Sequence, residues 1–148
     1  LTDNRDRVPA ILNSVVDWAK AQEGVRGVAL VGSHARNQAR RDSDIDLVLL
    51  ADNPDRFRDV AWVTDIAWPR TGVHPTRWAD EEYGAVWSRR IWFDPDCEIE
   101  LIFAPVRWAD VSPVDDGTRR VISGGCRVLY DPDLLLTRLV STVAERFD

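Results

Sequence analysis

The stretch VALVGSHARNQARRDSDIDLVLL, residues 28–50, constrains this chain more than any other. It contains two short, apolar, β-branched runs, residues 28–31 and 45–51, with the length and composition of buried strands. The first run ends in Gly32-Ser33, and the second is entered through Asp44-Ile45-Asp46. A glycine directly after a strand lets the backbone approach a ligand closely. Residues 33–41 are rich in Ala, Arg and Gln and fit a short helix, whose free N–H groups and Ser33 hydroxyl would face an anion such as phosphate. Asp44 and Asp46 are two residues apart, so on a strand both carboxylates leave the same face while Ile45 and Leu47 point into the core. Two carboxylates ~5 Å apart repel by about 3 kcal/mol at an effective dielectric near 20, which favours a cation between them. An oxygen-only donor set selects Mg²⁺ or Mn²⁺ over zinc. A phosphate loop beside such a site suggests metal-assisted phosphoryl or nucleotidyl transfer.

Elements around this segment follow from periodicity and punctuation. Val8-Pro9 opens a helical pattern through Ile11, Leu12, Val15, Val16, Trp18 and Ala19, with Gly24 as its stop. After the second strand, Asp52-Asn53-Pro54 breaks the chain, and a short amphipathic helix is expected to carry Phe57, Val60 and Ala61. Residues 62–83, broken by Pro69, Gly72 and Pro75, predict irregular structure with one helical turn after Thr76. Residues 86–93 and 98–104 read as strands joined at Asp94-Pro95-Asp96, a hairpin signal. A last strand is expected over 121–130, interrupted at Gly124-Gly125, followed by a helix with Asp131-Pro132 at its start and Leu135, Leu136, Leu139, Val140 and Val143 on its buried face. This irregular alternation predicts an α/β (α+β) fold with a mixed central sheet flanked by helices.

Composition narrows the class. The length, 148 residues, predicts one domain over 1–148, and 45% hydrophobic residues suffice for a core. The net charge of −6 argues against a general nucleic-acid binder but not against a nucleotide substrate, since metal ions can carry the local positive charge. Two cysteines, Cys97 and Cys126, without a CxxC, predict two reduced thiols in a cytoplasmic protein. No apolar stretch approaches the ~20 residues of a membrane span. Trp62, Trp68, Trp78, Trp87, Trp92 and Trp108 crowd the middle of the chain, where they fill a core or form an aromatic wall for a planar ligand.

Gly32-Ser33-His34-Ala35-Arg36 followed by Ser43-Asp44-Ile45-Asp46-Leu47 resembles the signature GSxAR…SDIDL of the DNA polymerase β-like nucleotidyltransferases, with the gap of that superfamily's minimal members, and residues 87–104 with Gly117-Thr118 resemble its small antibiotic-modifying, adenylyltransferase-like members. Asn37 stands where many members have glycine. The resemblance implies that Asp44 and Asp46 hold two Mg²⁺ ions (or Mn²⁺) against a nucleoside triphosphate, ATP above all, while Gly32 and Ser33 bind its phosphates. It also implies a third carboxylate on a later strand. Glu98 and Glu100 share a strand face, so spacing alone does not choose between them. Ile99-Glu100-Leu101 resembles the Ile-Asp-Leu of aminoglycoside-adenylylating relatives, which makes Glu100 the preferred third ligand and base.

Other residues carry weaker signals. Ser43 either contacts phosphate or caps a turn, and Arg36 is the arginine best placed to add a phosphate contact. His34 occupies a variable motif position and is not taken as catalytic. Of Arg89 and Arg90, alternation turns one toward the acceptor or nucleotide and the other outside. Asp115 is a further candidate within a predicted Asp115-Asp116-Gly117 turn. The resemblance implies transfer of a nucleoside monophosphate to a hydroxyl acceptor, an antibiotic-like small molecule being one candidate, since acceptors in that group include aminoglycosides and lincosamides. A pocket for that acceptor is either self-contained or completed in a homodimer. The competing expectation is an antitoxin that binds or adenylylates a helical HEPN toxin partner.

Overall fold

The computed structural model describes residues 4–40, 42–68 and 72–145. Helix α1 (Val8–Lys20) has Pro9 in its first turn and buries Ile11, Leu12, Val15, Trp18 and Ala19 along one stripe. Gly24, at φ +90°, then turns the chain into β1 (Val25–Val31), which pairs antiparallel with β2 (Ile45–Ala51). A long excursion follows: 3-10 turns at Pro54–Arg58 and Ala61–Thr64, then β3 (His74–Tyr83), β4 (Val86–Asp94) and β5 (Cys97–Pro105). β5 returns to lie parallel to β2. Beyond a 3-10 turn at Val106–Ala109 come α2 (Asp116–Ser123), β6 (Cys126–Tyr130) and α3 (Leu135–Glu145). The result is one six-stranded mixed sheet in the order β3-β4-β5-β2-β1-β6, an α+β architecture as the sequence predicts.

Alternation along the strands separates two cores. Ile45, Leu47 and Leu49 join Ile99, Leu101 and Phe103 and the α1 stripe on one face. Val31, Val48, Leu50 and Ala104 join Ile122, Leu136 and Leu139 from α2 and α3 on the other. Tryptophans mostly fill the first core. The buried indoles of Trp62, Trp68 and Trp87 donate to the carbonyls of Phe57, Val63 and Pro54 at 2.6, 2.6 and 2.9 Å, so their polar ends are satisfied.

Four local expectations are corrected. Residues 33–40 form linked turns instead of a helix: Ala35 N and Arg36 N donate to the Gly32 carbonyl at 3.1 and 3.3 Å, Gln38 N donates to Ser33 O at 3.0 Å, and Asn37 adopts φ +58°. No helix dipole therefore stands behind Ser33. The helix expected around Phe57 to Ala61 is split into two 3-10 turns, with Asn53 accepting from Asp55 N at 3.3 Å. The stretch read as irregular contains β3, an exposed edge strand paired with β4. Residues 121–123, expected to begin the last strand, instead end a helix over Asp116–Ser123, which the Asp115 carboxylate caps by accepting from Thr118 N at 3.1 Å. Gly124 ends that helix, and only Cys126–Tyr130 form the strand. The Asp94-Pro95-Asp96 hairpin forms as read, and Asp131 caps α3 through Leu136 N and Thr137 N. Cys97 and Cys126 are free thiols, both pushed up to about 11 by burial. Among the described residues, no helix is long and apolar enough to cross a membrane.

Candidate functional site

Sheet register assembles the site from three strands. Val31, the residue before Gly32, sits opposite Asp46, and Asp46 sits opposite Glu100 on the parallel neighbour β5. Gly32 has φ +78°, and a Cβ placed on it would lie 2.9 Å from Asp46 Oδ2. Only glycine lets the turn descend onto the carboxylate here, in a backbone conformation other residues rarely adopt. The turn is then fixed from beneath by His34, whose buried ring bonds the Ser43 carbonyl through Nε2 at 3.2 Å. Ser43 Oγ accepts from Arg40 N at 2.8 Å, so its side chain caps the turn entering β2. Arg36 Nη1 donates to Gly124 O at 2.9 Å and Nε to Gln38 Oε1 at 3.1 Å, tying the turn to the end of α2. Ser43 thus caps a turn, one of its two sequence readings, while the contact of His34 with the Ser43 carbonyl was not expected from sequence.

On β5, Glu98 and Glu100 share the face of Asp46, with Glu100 directly beside it and Glu98 one pleat away toward Asp44. Arg90 on β4 reaches three of the four acids. Its Nη1 lies 3.0 Å from Asp44 Oδ2 and 3.1 Å from Glu98 Oε1, and its Nη2 lies 3.6 Å from Glu100 Oε2. Ser88 Oγ donates to Glu100 Oε2 at 3.0 Å. One guanidinium thus faces four carboxylates, and the excess shows in Asp46. Burial first, then the charges of Glu100 and Asp44, push its carboxyl up to about 6. Glu98 is also raised, by burial and by its bond and charge interaction with Asp44, with Arg90 opposing.

Alternation holds for the two arginines, but its outer member is not outside. Arg89 is fully buried on the opposite face. It forms a two-pronged pair with Asp80 at 2.8 and 3.0 Å, and donates to the carbonyls of Asp59 and Arg58 at 3.1 and 2.9 Å.

No three His, Cys, Asp or Glu side chains among the described residues converge closely enough to hold one ion. With Arg90 among them, the carboxylates spread around a guanidinium. The donor chemistry still fits a divalent cation: every donor is oxygen, and negative charge exceeds positive at the point where Asp46 is raised.

Past Glu100, away from Gly32, opens a cavity of about 400 Å³. Val48, Val86 and Ile102 line it from the sheet, Tyr83 and Trp108 contribute aromatic rings, and Asp115 and Thr118 stand at the start of α2.

The family model described as "Nucleotidyltransferase domain" matches residues 12–89, more than half of the chain. No curated protein sequence matches it. A solved structure titled "Crystal structure of the toxin-antitoxin with AMP-PNP" is similar at 12% identity over 92% of this chain and 86% of that one, with a TM-score of 0.47. The family match spans α1, the Gly32 turn, β2 and the strands through Arg89, and on it the chain belongs to the nucleotidyltransferase domain family.

Proposed function

We propose that this domain transfers a nucleoside monophosphate, AMP from ATP, to a hydroxyl acceptor in a Mg²⁺-dependent reaction. The observation that supports the reading is the row Val31, Asp46, Glu100 across β1, β2 and β5, with the Gly32 turn that follows Val31 lying directly against the Asp46 carboxylate and Glu100 beside it. Asp44 and Asp46, with Glu100, would hold two divalent ions, Mg²⁺ or Mn²⁺. Bound there, they would neutralise charge developing at the α-phosphate. Gly32 and Ser33 receive the β- and γ-phosphates, and Arg36 adds positive charge on that side. Ser43 and His34 keep the turn over Asp46.

Glu100 accepts the proton of the attacking hydroxyl. The acceptor oxygen forms a bond to the α-phosphorus, the bond to the bridging oxygen breaks, and pyrophosphate leaves with that electron pair. Ser88 and Arg90 hold the Glu100 carboxylate in place for this step. Glu100 is favoured over Glu98 because it is the register partner of Asp46 and borders the cavity, whereas Glu98 pairs with Arg90 beside Asp44.

The test is transfer of label from α-labelled ATP, screened against pooled hydroxyl compounds including antibiotics, and against cell extract. Glu100→Gln should abolish transfer while Glu98→Gln retains most of it; the reverse result moves the third carboxylate to Glu98. The antitoxin reading predicts instead that label is transferred to a co-purifying helical protein and to no small molecule.

A further inference from the structure

The cavity bordered by Glu100 is largely apolar and set apart from the phosphate turn at Gly32 and the acids Asp44 and Asp46. Its walls are mostly apolar: Val48 and Ile102 from β2 and β5, Val86 from β4, Val121 from α2, with Trp108 and Tyr83 at the sides. Val121 and Tyr83 are 36% and 55% exposed, so large apolar side chains face solvent around this mouth. The volume, about 400 Å³, falls within the roughly 300–1,000 Å³ of pockets that enclose small organic ligands.

Position assigns its occupant. In-line displacement places the attacking oxygen and the leaving pyrophosphate on opposite sides of the α-phosphorus. The Gly32 turn lies at the Asp44 end of these strands, and Val48 and Ile102 of the cavity follow Asp46 and Glu100 on the same face, one pleat farther from Gly32. If the leaving phosphates lie at the Gly32 turn, the attacking hydroxyl arrives from the cavity side, with Glu100 at its rim to take the proton. The transfer balances as above: the acceptor O–H gives its proton to Glu100, its oxygen bonds phosphorus, and pyrophosphate departs.

We infer that this cavity is the acceptor site and that the acceptor is an apolar-bodied, ring-containing alcohol or phenol, not a polycationic sugar. Its body packs on Val48, Val86 and Ile102 between Trp108 and Tyr83. The inference rests on the nucleotidyl-transfer reading, and the experiment separates the two. Full-length protein is titrated with 2-naphthol, with kanamycin, and with the α,β-methylene analogue of ATP plus Mg²⁺, each by calorimetry. Val86→Trp and Val121→Trp fill the cavity from two different elements, the second from a part-exposed helix position that tolerates bulk. The expected result is saturable naphthol binding to the wild type, weakened about tenfold or more in both variants, with binding of the ATP analogue unchanged. Retained analogue binding also shows that both variants fold. Equal naphthol affinity in all three proteins overturns the proposal, as does saturation by kanamycin and not by naphthol. Loss of analogue binding in a correctly folded Val121→Trp overturns it too, because the nucleotide base would then occupy the cavity. Should the wild type bind naphthol but not the Mg²⁺-dependent analogue, the nucleotide reading fails together with the acceptor role, and the cavity is a site for apolar ligands of another kind.

Discussion

Asp46 bears the largest electrostatic cost at the site, and that cost has a pH signature. Its carboxyl is raised from an ordinary value of 3.8 to about 6, first by burial and then by Glu100 and Asp44. Below pH ~4 folded and unfolded chains are both protonated there, and the group costs nothing. Between pH ~4 and ~6 the unfolded chain has released the proton that the folded chain keeps, so stability falls as pH rises, and the full penalty, at most about 3 kcal/mol, is present above pH ~6. Asp46→Asn should therefore melt higher than the wild type at pH 7 without divalent ions, and this gain should shrink toward pH 4 in a series of thermal melts. Arg90 opposes the same repulsion. Arg90→Ala should lower the metal-free melting temperature and enlarge the upward shift on adding Mg²⁺, because the carboxylates lose their only close cation among the described residues. Gly32→Ala introduces a Cβ 2.9 Å from Asp46 Oδ2 at a φ of +78°. It should cost roughly 1–2 kcal/mol in denaturant melts and reduce Mg²⁺-dependent nucleotide binding well beyond that loss, since the turn must lift from the acid.

Strands with apolar alternation or apolar runs were legible, and elements held by polar contacts were not. β1, β2 and β5 bury continuous or alternating apolar residues, so their pattern identifies them. β3, with the sequence HPTRWADEEY, has almost no buried face and carries no such pattern. What anchors it is Asp80, which meets the buried Arg89 of β4, while Glu82 pairs with Arg58 through both carboxylate oxygens. Such long-range polar anchors leave no periodic trace in sequence. Asp80→Ala would strand the Arg89 guanidinium in the core. The expected cost is roughly 2–3 kcal/mol, below that of a fully enclosed pair because the Asp80 side chain is 34% exposed. Hydrogen exchange should localise the lost protection to β3 and the adjoining 3-10 turns, while β1 and β2 stay protected. α2 was missed for a different reason: Asp115 reads equally as a turn residue and as an N-cap, and only its bond to Thr118 N distinguishes them.

For the molecule as a whole, the motif between Gly32 and Asp46 announced the family, and the sheet explains why residues so separated act together. The turn and the two acids lie on consecutive strands, so their spacing survives in sequence as a local signal. Glu100 arrives by a crossover of some fifty residues, and its pairing with Asp46 is a fact of parallel register that no local spacing encodes. Arg90 was one of two equal candidates until the pleat turned it toward the acids and its neighbour Arg89 into the core. The cavity beyond Glu100 draws on four strands, one helix and one 3-10 turn, and it was not foreseeable from any one segment. The Gly32 turn, Glu100 and Arg90 all bear on Asp46. The most direct measurement is calorimetric binding of ATP, with and without Mg²⁺, to the wild type, Asp44→Ala and Asp46→Ala. Saturable binding that requires Mg²⁺ in the wild type and disappears in both variants, while their circular dichroism stays native, is the predicted result. Unchanged, metal-independent ATP binding in the two variants would contradict the account.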